Sequence, residues 1–181
     1  MESLGILESN SIAKGIEAAD AALKAAEVQL RYARPVCPGK YSILFYGDVA
    51  AVDASLSAGS AVLDSHLVDA VSIPRIHPQV IHAIGLSVEP PPLGAVGVME
   101  FFSVTAAVYA ADAAVKAADV MLIDVRLGMG IGGKSFVILS GDVAAVSQSV
   151  ASGMQTGAEK GLALQSVVIP RPRPEIFEAL L

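Results

Sequence analysis

The chain repeats itself, and this repeat restricts the folds that are open to it. AADAALKAAEV at residues 18–28 returns as AADAAVKAADV at residues 110–120. GDVAAV at residues 47–52 returns unchanged at residues 141–146. The second copy has two additional residues in a glycine-rich loop and two more before its last predicted strand. The sequence therefore predicts two homologous domains in tandem.

The boundary between the two copies is marked by proline. The stretch SVEPPPL, residues 87–93, separates them, and Pro-rich segments form stiff, extended spacers. We therefore predict a first domain at residues 1–88 and a second domain at residues 94–181.

Each copy predicts the element order strand, helix, strand, strand, helix, strand. Ser11 and Asp48 are the expected N-caps of the two helices in the first copy. Apolar residues recur at helical spacing after Ser11, at Ile12, Ile16, Ala19, Leu23 and Ala26. A βαββαβ order predicts an α+β fold of the ferredoxin-like type, with an antiparallel sheet and helices on one face.

Composition limits the partners that this chain can have. Apolar residues make up 54% of it and charged residues only 17%, with a mean hydropathy of +0.60, so we expect apolar surface to be hidden against other subunits. The net charge of −6, without a basic block, argues against binding to nucleic acid. No apolar run is long enough to cross a membrane, and no secretory signal is recognisable. The single cysteine excludes an intrachain disulfide and fits a reducing cytoplasm.

The loop GMGIGGKS, residues 128–135, matches two phosphate-binding patterns at once, the P-loop and the dinucleotide fingerprint. Both patterns require a helix directly after the glycines, whose N-terminal amides hold the phosphates. The residues that follow Lys134 are SFVILS, which is typical of a strand. We therefore predict a connection between two strands and no bound nucleotide, and keep an NTPase only as a minor alternative.

The specific repeated pieces carry a family resemblance. They are GILE and GVME, DAALKAA and DAAVKAA, the two GDVAAV turns, and the endings IPRIHP and IPRPRP. With these pieces the chain resembles the bacterial microcompartment shell proteins of the tandem-domain, trimer-forming class. SIAKG, CPGK, GIGGK and IPRP are similar to the T-type shell proteins of propanediol-utilisation compartments. The resemblance implies a structural protein without enzyme activity, located in the shell of a cytoplasmic compartment.

The resemblance also implies an assembly. Three chains, each with two domains, would form a pseudohexameric tile, and tiles would pack edge to edge around encapsulated enzymes, which could include redox partners. The hairpin loops would line a central pore that conducts small molecules or electrons: Val36, Cys37, Pro38, Gly39 and Lys40 in the first copy, and Gly128, Met129, Gly130, Ile131, Gly132, Gly133 and Lys134 in the second. Contacts at the tile edge would involve Lys24, Lys116, Arg75, His77 and Arg171.

Cys37 is the residue with the most distinctive chemistry. A lone cysteine is commonly a small, inert hydrophobic residue, but Cys37 lies in a proline-rich turn that favours an exposed loop tip. One thiolate is a poor metal site, whereas three around a threefold axis are a good one. The resemblance implies a [4Fe–4S] cluster shared by three chains, with one Cys37 from each. The alternative to a shell protein is a ferredoxin-like module that senses a metabolite through its loops.

Overall fold

Both copies of the repeat fold in the predicted order and with the predicted topology. The computed structural model describes residues 2–85 and 94–176. By contacts, the chain divides into two units, Met1–Ile76 and His77–Leu181. The proline-rich connector at residues 87–93 and the predicted boundary at residue 88 lie outside the described residues, so the domain limits drawn from the repeat stay a prediction.

The first unit is an antiparallel sheet with two helices packed on it and on each other. Its strand order is β2-β3-β1-β4, with Leu4 opposite Tyr46 on one side and Ile73 on the other. The helix α1 begins after Ser11, whose side chain accepts a hydrogen bond from the Lys14 amide at 3.3 Å. The elements are β1 Glu2–Ser9, α1 Ile12–Ala25, β2 Gln29–Val36, β3 Lys40–Asp48, α2 Val49–Leu63, a 3-10 turn Asp64–His66, and β4 Leu67–Pro74.

The structure shows which side of α1 is buried. Helical spacing predicted the helix correctly, but its largest apolar side chains do not face the sheet. Ile12 and Ile16 are exposed, whereas the small residues Gly15, Ala18 and Ala22 are buried against the core. Small side chains allow α1 to approach the sheet and α2 closely, and the large ones are left on the outer face.

The second unit repeats this architecture. Its antiparallel sheet has the order β6-β7-β5-β8, and Ser103 caps its first long helix by accepting from the Ala106 amide at 3.1 Å. Gly157 of the last helix lies against the buried Phe101 ring, where a Cβ would come within 2.3 Å of Cε1. The elements that repeat the first copy are β5 Ala95–Phe101, α4 Val104–Ala117, β6 Val120–Leu127, β7 Ser135–Gly141, α5 Val143–Lys160 and β8 Ala163–Ile169.

The second unit also contains a short helix that the sequence did not lead us to predict, α3 at Pro78–Ala83. His77 caps it, since its Nδ1 accepts from the Gln79 amide at 3.3 Å, and proline occupies the first helical turn. Six residues are too few to show a helical period, and a helix of this length is stable only when it is packed. Its packing partners are α4 and β6. Among the described helices, none combines the length and apolar character that a bilayer crossing requires.

Candidate functional site

The first hairpin loop is short and open. Val36 pairs with Lys40, and the Gly39 amide donates to the Val36 carbonyl at 3.0 Å, so Cys37, Pro38 and Gly39 form the tip. Gly39 has φ +93°, a conformation that glycine adopts without strain, and a Cβ added there would meet no atom within 4 Å. Cys37 is half-buried and precedes a cis proline. The tip therefore has open space at Gly39, two residues after the half-buried Cys37.

The second hairpin loop is longer and rich in glycine. Leu127 pairs with Ser135, and residues 128–134 form the connection. The Gly128 amide donates to the Lys134 carbonyl at 3.1 Å, and the Lys134 amide donates to the Ile131 carbonyl at 3.2 Å. Met129 is exposed. Four glycines have positive φ angles, which explains why the loop needs them: Gly128, Gly130, Gly132 and Gly133.

This geometry confirms that GMGIGGKS joins two strands. The residues after the loop, Ser135–Gly141, form β7 and not a helix. No helix N-terminus therefore points its amides and dipole at the glycines, as a P-loop requires. Lys134 also has a carboxylate partner, because its Nζ lies 3.6 Å from Glu100 Oε2. The loop therefore matches the sequence pattern of a phosphate-binding loop but lacks the helix that such a loop requires.

The lysine of each loop is paired with a glutamate from the first strand of the same unit. Lys40 Nζ lies 3.4 Å from Glu8 Oε2, which repeats the Lys134–Glu100 pair of the second unit. Glu8 is buried, and this burial raises the pKa of its carboxyl, although the charge of Lys40 acts in the opposite direction. The sequence analysis identified the lysines and missed these glutamates. The signal was present in GILE and GVME, where the glutamates hold equivalent positions.

The described residues of one copy do not complete a metal centre. Within residues 2–85 and 94–176, no three His, Cys, Asp or Glu side chains lie close enough together to hold an ion. Cys37 is the chain's one cysteine. Any thiolate cluster at this loop therefore needs sulfur atoms from further copies.

The residues predicted at a tile edge occupy equivalent places in the two units. Lys24 and Lys116 lie at the ends of α1 and α4, and each forms an ion pair with the aspartate one turn earlier, at 2.5 Å in both units. Arg75 and Arg171 follow the last strands, β4 and β8, and both are exposed. His77 has a structural role in capping α3. Its part in edge contacts, like that of the four cations, stays a prediction.

The second unit contains a further ion pair, between Asp124 and Arg126, in which the aspartate is buried. The side chain of Asp124 on β6 is 1% exposed and lies 2.7 Å from Arg126 Nη2. Burial raises the pKa of Asp124, and Arg126 opposes this rise. At the equivalent strand position, the first unit has Tyr32, whose pKa is raised by burial to about 12.

Comparisons with known proteins agree with the repeat. The BMC domain family matches residues 3–76 and again residues 95–172. The chain is 41% identical over 180 residues to the bacterial microcompartment shell protein PduT of Citrobacter freundii, which covers 99% of this chain and 98% of that protein. It is 39% identical over 79 residues to the shell protein EutM of Salmonella typhimurium, covering 42% of this chain and 82% of EutM.

Solved structures give the same result. A microcompartment protein from Desulfitobacterium hafniense superposes with a TM-score of 0.94 at 49% identity, over 98% of this chain and 99% of that one. A fused permuted hexameric shell protein of the RMM microcompartment has a TM-score of 0.62 at 25% identity, over 87% and 84% of the two chains.

Proposed function

Because this chain belongs to the BMC-domain family of bacterial microcompartment shell proteins, and is thus a structural subunit of the shell and not an enzyme, we propose that three copies form one pseudohexameric tile. The central opening of the tile would be lined by the two hairpin loops and would hold a [4Fe–4S] cluster on Cys37. The observation that carries the proposal is the pair of hairpin loops at equivalent positions, one of which has Cys37 in its tip.

The trimer follows from the tandem repeat. Two domains of the same fold can take alternating places around a threefold axis, which gives a closed ring of six domains from three chains. The composition supports an extensive contact between copies, since 54% of the residues are apolar and only 17% are charged. In such a ring each hairpin loop recurs three times around the axis.

The loops suit a central opening because both are built for close approach of backbones. Gly39 in the first loop and four glycines in the second have φ angles that other residues rarely adopt. Lys40 and Lys134 are held by Glu8 and Glu100, so each loop has a neutralised ion pair at its base. Neutral pairs reduce the repulsion that six like charges around one axis would create.

Cys37 fits a shared cluster. Iron–sulfur clusters are held by cysteine thiolates, and a threefold axis brings three copies of one side chain to one place. Three Cys37 thiolates would bind three of the four iron atoms, which leaves the fourth to water or a small molecule. When bound, a [4Fe–4S] cluster supplies one-electron transfer, which at this place would connect encapsulated redox enzymes with the outside of the shell.

The outer surface of the tile would carry the contacts between tiles. Lys24 and Lys116 are exposed or half-exposed, at 73% and 43% of their side chains, and keep aspartate partners in each unit. Arg75 and Arg171 project after the last strands of the two units. We propose that these repeated cations contact neighbouring tiles, with His77 at the same edge.

The cluster is tested by anaerobic purification followed by iron and acid-labile sulfide analysis and by electron paramagnetic resonance. We expect about four iron atoms for every three chains of wild type and a reduced-cluster signal. Cys37→Ser should lose both. Met129→Ser, on the other hairpin loop, is the matched control and should keep both. Wild-type protein that takes up no iron during reconstitution under reducing conditions would exclude the cluster.

The tile is tested independently of the iron. Light scattering should give a mass of about 55 kDa, three times the 18.5 kDa of one chain, for wild type and for Cys37→Ser alike. A stable monomer of wild type would contradict the tile. A trimer that binds no iron would leave the tile standing and remove only the role in electron transfer.

A further inference from the structure

In the second unit, an apolar face of α4 and β6 is covered by the segment 77–85, which includes α3. The His77 amide donates to Asp112 Oδ1 at 2.8 Å. The Gln79 side chain accepts from the Leu122 amide at 3.0 Å, and the Gly85 amide donates to the Val125 carbonyl at 3.2 Å. The apolar residues of the segment are buried: Val80, Ile81, Ala83 and Ile84.

The first unit carries the same face on α1 and β2, but there it is uncovered. Ile12 and Ile16 are 43% and 55% exposed, whereas the equivalent Val104 and Val108 are 4% and 0% exposed. Leu30 of β2 is 44% exposed, whereas Leu122 of β6 is 1% exposed. Asp20, the equivalent of Asp112, is 62% exposed against 11%. We refer to the surface formed by Ile12, Ile16, Asp20 and Leu30 as the open face.

The sequence contains a second copy of the covering segment. RPEIFEALL at residues 173–181 repeats the pattern of HPQVIHAIG at residues 77–85, with proline at the second position and apolar residues at the fourth, fifth, seventh and eighth positions of both. In the part that the structure describes, Ile176 is 46% exposed although its equivalent, Val80, is fully buried. Ile176 and the open face are thus both uncovered in a single copy.

We propose that residues 173–181 of one copy bind the open face of the next copy, in the way that residues 77–85 bind α4 and β6. The Arg173 amide would then donate to the exposed Asp20 carboxylate, as the His77 amide donates to Asp112 Oδ1. Ile176 would fill the place that Val80 fills in the second unit. The inference rests on the proposed trimer and specifies which surfaces join its chains.

The contact is directional. Each copy offers one segment and one open face, so the interface is heterologous, and interfaces of this kind close into a ring when the rotation between copies allows it. Three copies would cover three open faces. The burial of Ile12, Ile16 and Leu30 in the ring removes the part of the exposed apolar surface that the open face contributes.

Disulfide trapping tests the contact directly. In a Cys37→Ser background, Asp20→Cys with Arg173→Cys should link separate chains on oxidation, giving covalent dimers and trimers on a non-reducing gel. The matched control is His77→Cys with Asp112→Cys, which should close within one chain because the structure places these residues in contact. If the control pair closes while the 20–173 pair forms no link, or a link only within single chains, the inference is overturned.

Charge insertion gives a second, independent measurement. Ile16→Asp on the open face and Ile176→Asp on the segment should each reduce the mass from about 55 kDa to the 18.5 kDa of a monomer. Leu162→Asp, at a position that is 68% exposed outside both surfaces, should stay trimeric. Wild-type trimers with unaffected Ile16→Asp and Ile176→Asp variants would overturn the docking while keeping the tile. A wild-type monomer would overturn both.

Discussion

Glu8 offers a sharp test of the electrostatics at the base of the first hairpin loop. Its side chain is 8% exposed and lies 3.4 Å from Lys40 Nζ. Burial raises the pKa of Glu8, and the attraction of Lys40 does not fully compensate. Each unit by which a folded-state pKa rises above the unfolded value costs about 1.4 kcal/mol of stability once the group is ionised. We therefore expect Glu8→Gln to stabilise the protein at neutral pH.

We expect the gain to stay within about 1 kcal/mol, the range over which partly solvated ion pairs contribute to stability. The loss of the pair costs little, because Lys40 is 35% exposed and stays hydrated, and the glutamine amide oxygen can still accept from it. Well below pH 4.5 the carboxyl is protonated in both the folded and the unfolded chain, so the two proteins should be equally stable. As pH rises, Glu8 ionises first in the unfolded chain, so the free energy of unfolding of wild type becomes lower than that of the variant.

The assay is chemical denaturation between pH 4 and pH 8, followed by circular dichroism at one fixed chain concentration, since assembly contributes to stability. Glu100→Gln is the matched control, because the equivalent Glu100 is 39% exposed and its pair with Lys134 is solvated. It should change the free energy of unfolding by less than about 0.5 kcal/mol at any pH. A loss of more than about 1 kcal/mol for Glu8→Gln at pH 7 would refute the reasoning.

Three further substitutions address the packing and the loops. Gly157→Ala would place a Cβ within 2.3 Å of the buried Phe101 ring, and overpacking of this kind should lower the free energy of unfolding by about 1–3 kcal/mol in the same denaturation assay. Gly39→Ala has open space around it but keeps φ +93°, so thermal denaturation should show a smaller loss, of about 1–2 kcal/mol. Lys134→Ala should leave calorimetric titrations with ATP as flat as those of wild type, because β7 follows the loop; a heat of binding that the substitution removes would restore the P-loop reading.

The fold was predictable because each helix and strand occurs twice in the sequence, once in each copy of the repeat. The β-branched and apolar residues after Lys134 predicted a strand, and β7 and its equivalent β3 confirm it. Ser11 was correctly identified as an N-cap, and its hydroxyl accepts from the Lys14 amide. Asp48 occupies the predicted cap position of α2, although its side chain makes no capping hydrogen bond.

What the sequence did not predict depends on contacts between distant residues. Helical period identified α1 but could not tell that Ile12 and Ile16 face away from the sheet, because Gly15 and Ala18 fit the closer side. The helix α3 owes its position to Asp112 and Val125, which lie far along the chain. The glutamate partners of the loop lysines come from neighbouring strands, so only the sheet register brings them together.

Because the two hairpin loops of one chain differ in sequence, a ring of three chains can carry a residue three times at its axis instead of six times. A ring of six identical domains must repeat every change at its axis six times, so a cysteine there would bring six sulfur atoms. In a threefold ring of this chain, Cys37 occurs three times and Met129 takes the equivalent places. Fusion of the two domains therefore lets evolution alter the axis in steps of three, an odd ligand number that no ring of six identical loops can present. The second loop is then free to lengthen without disturbing the first.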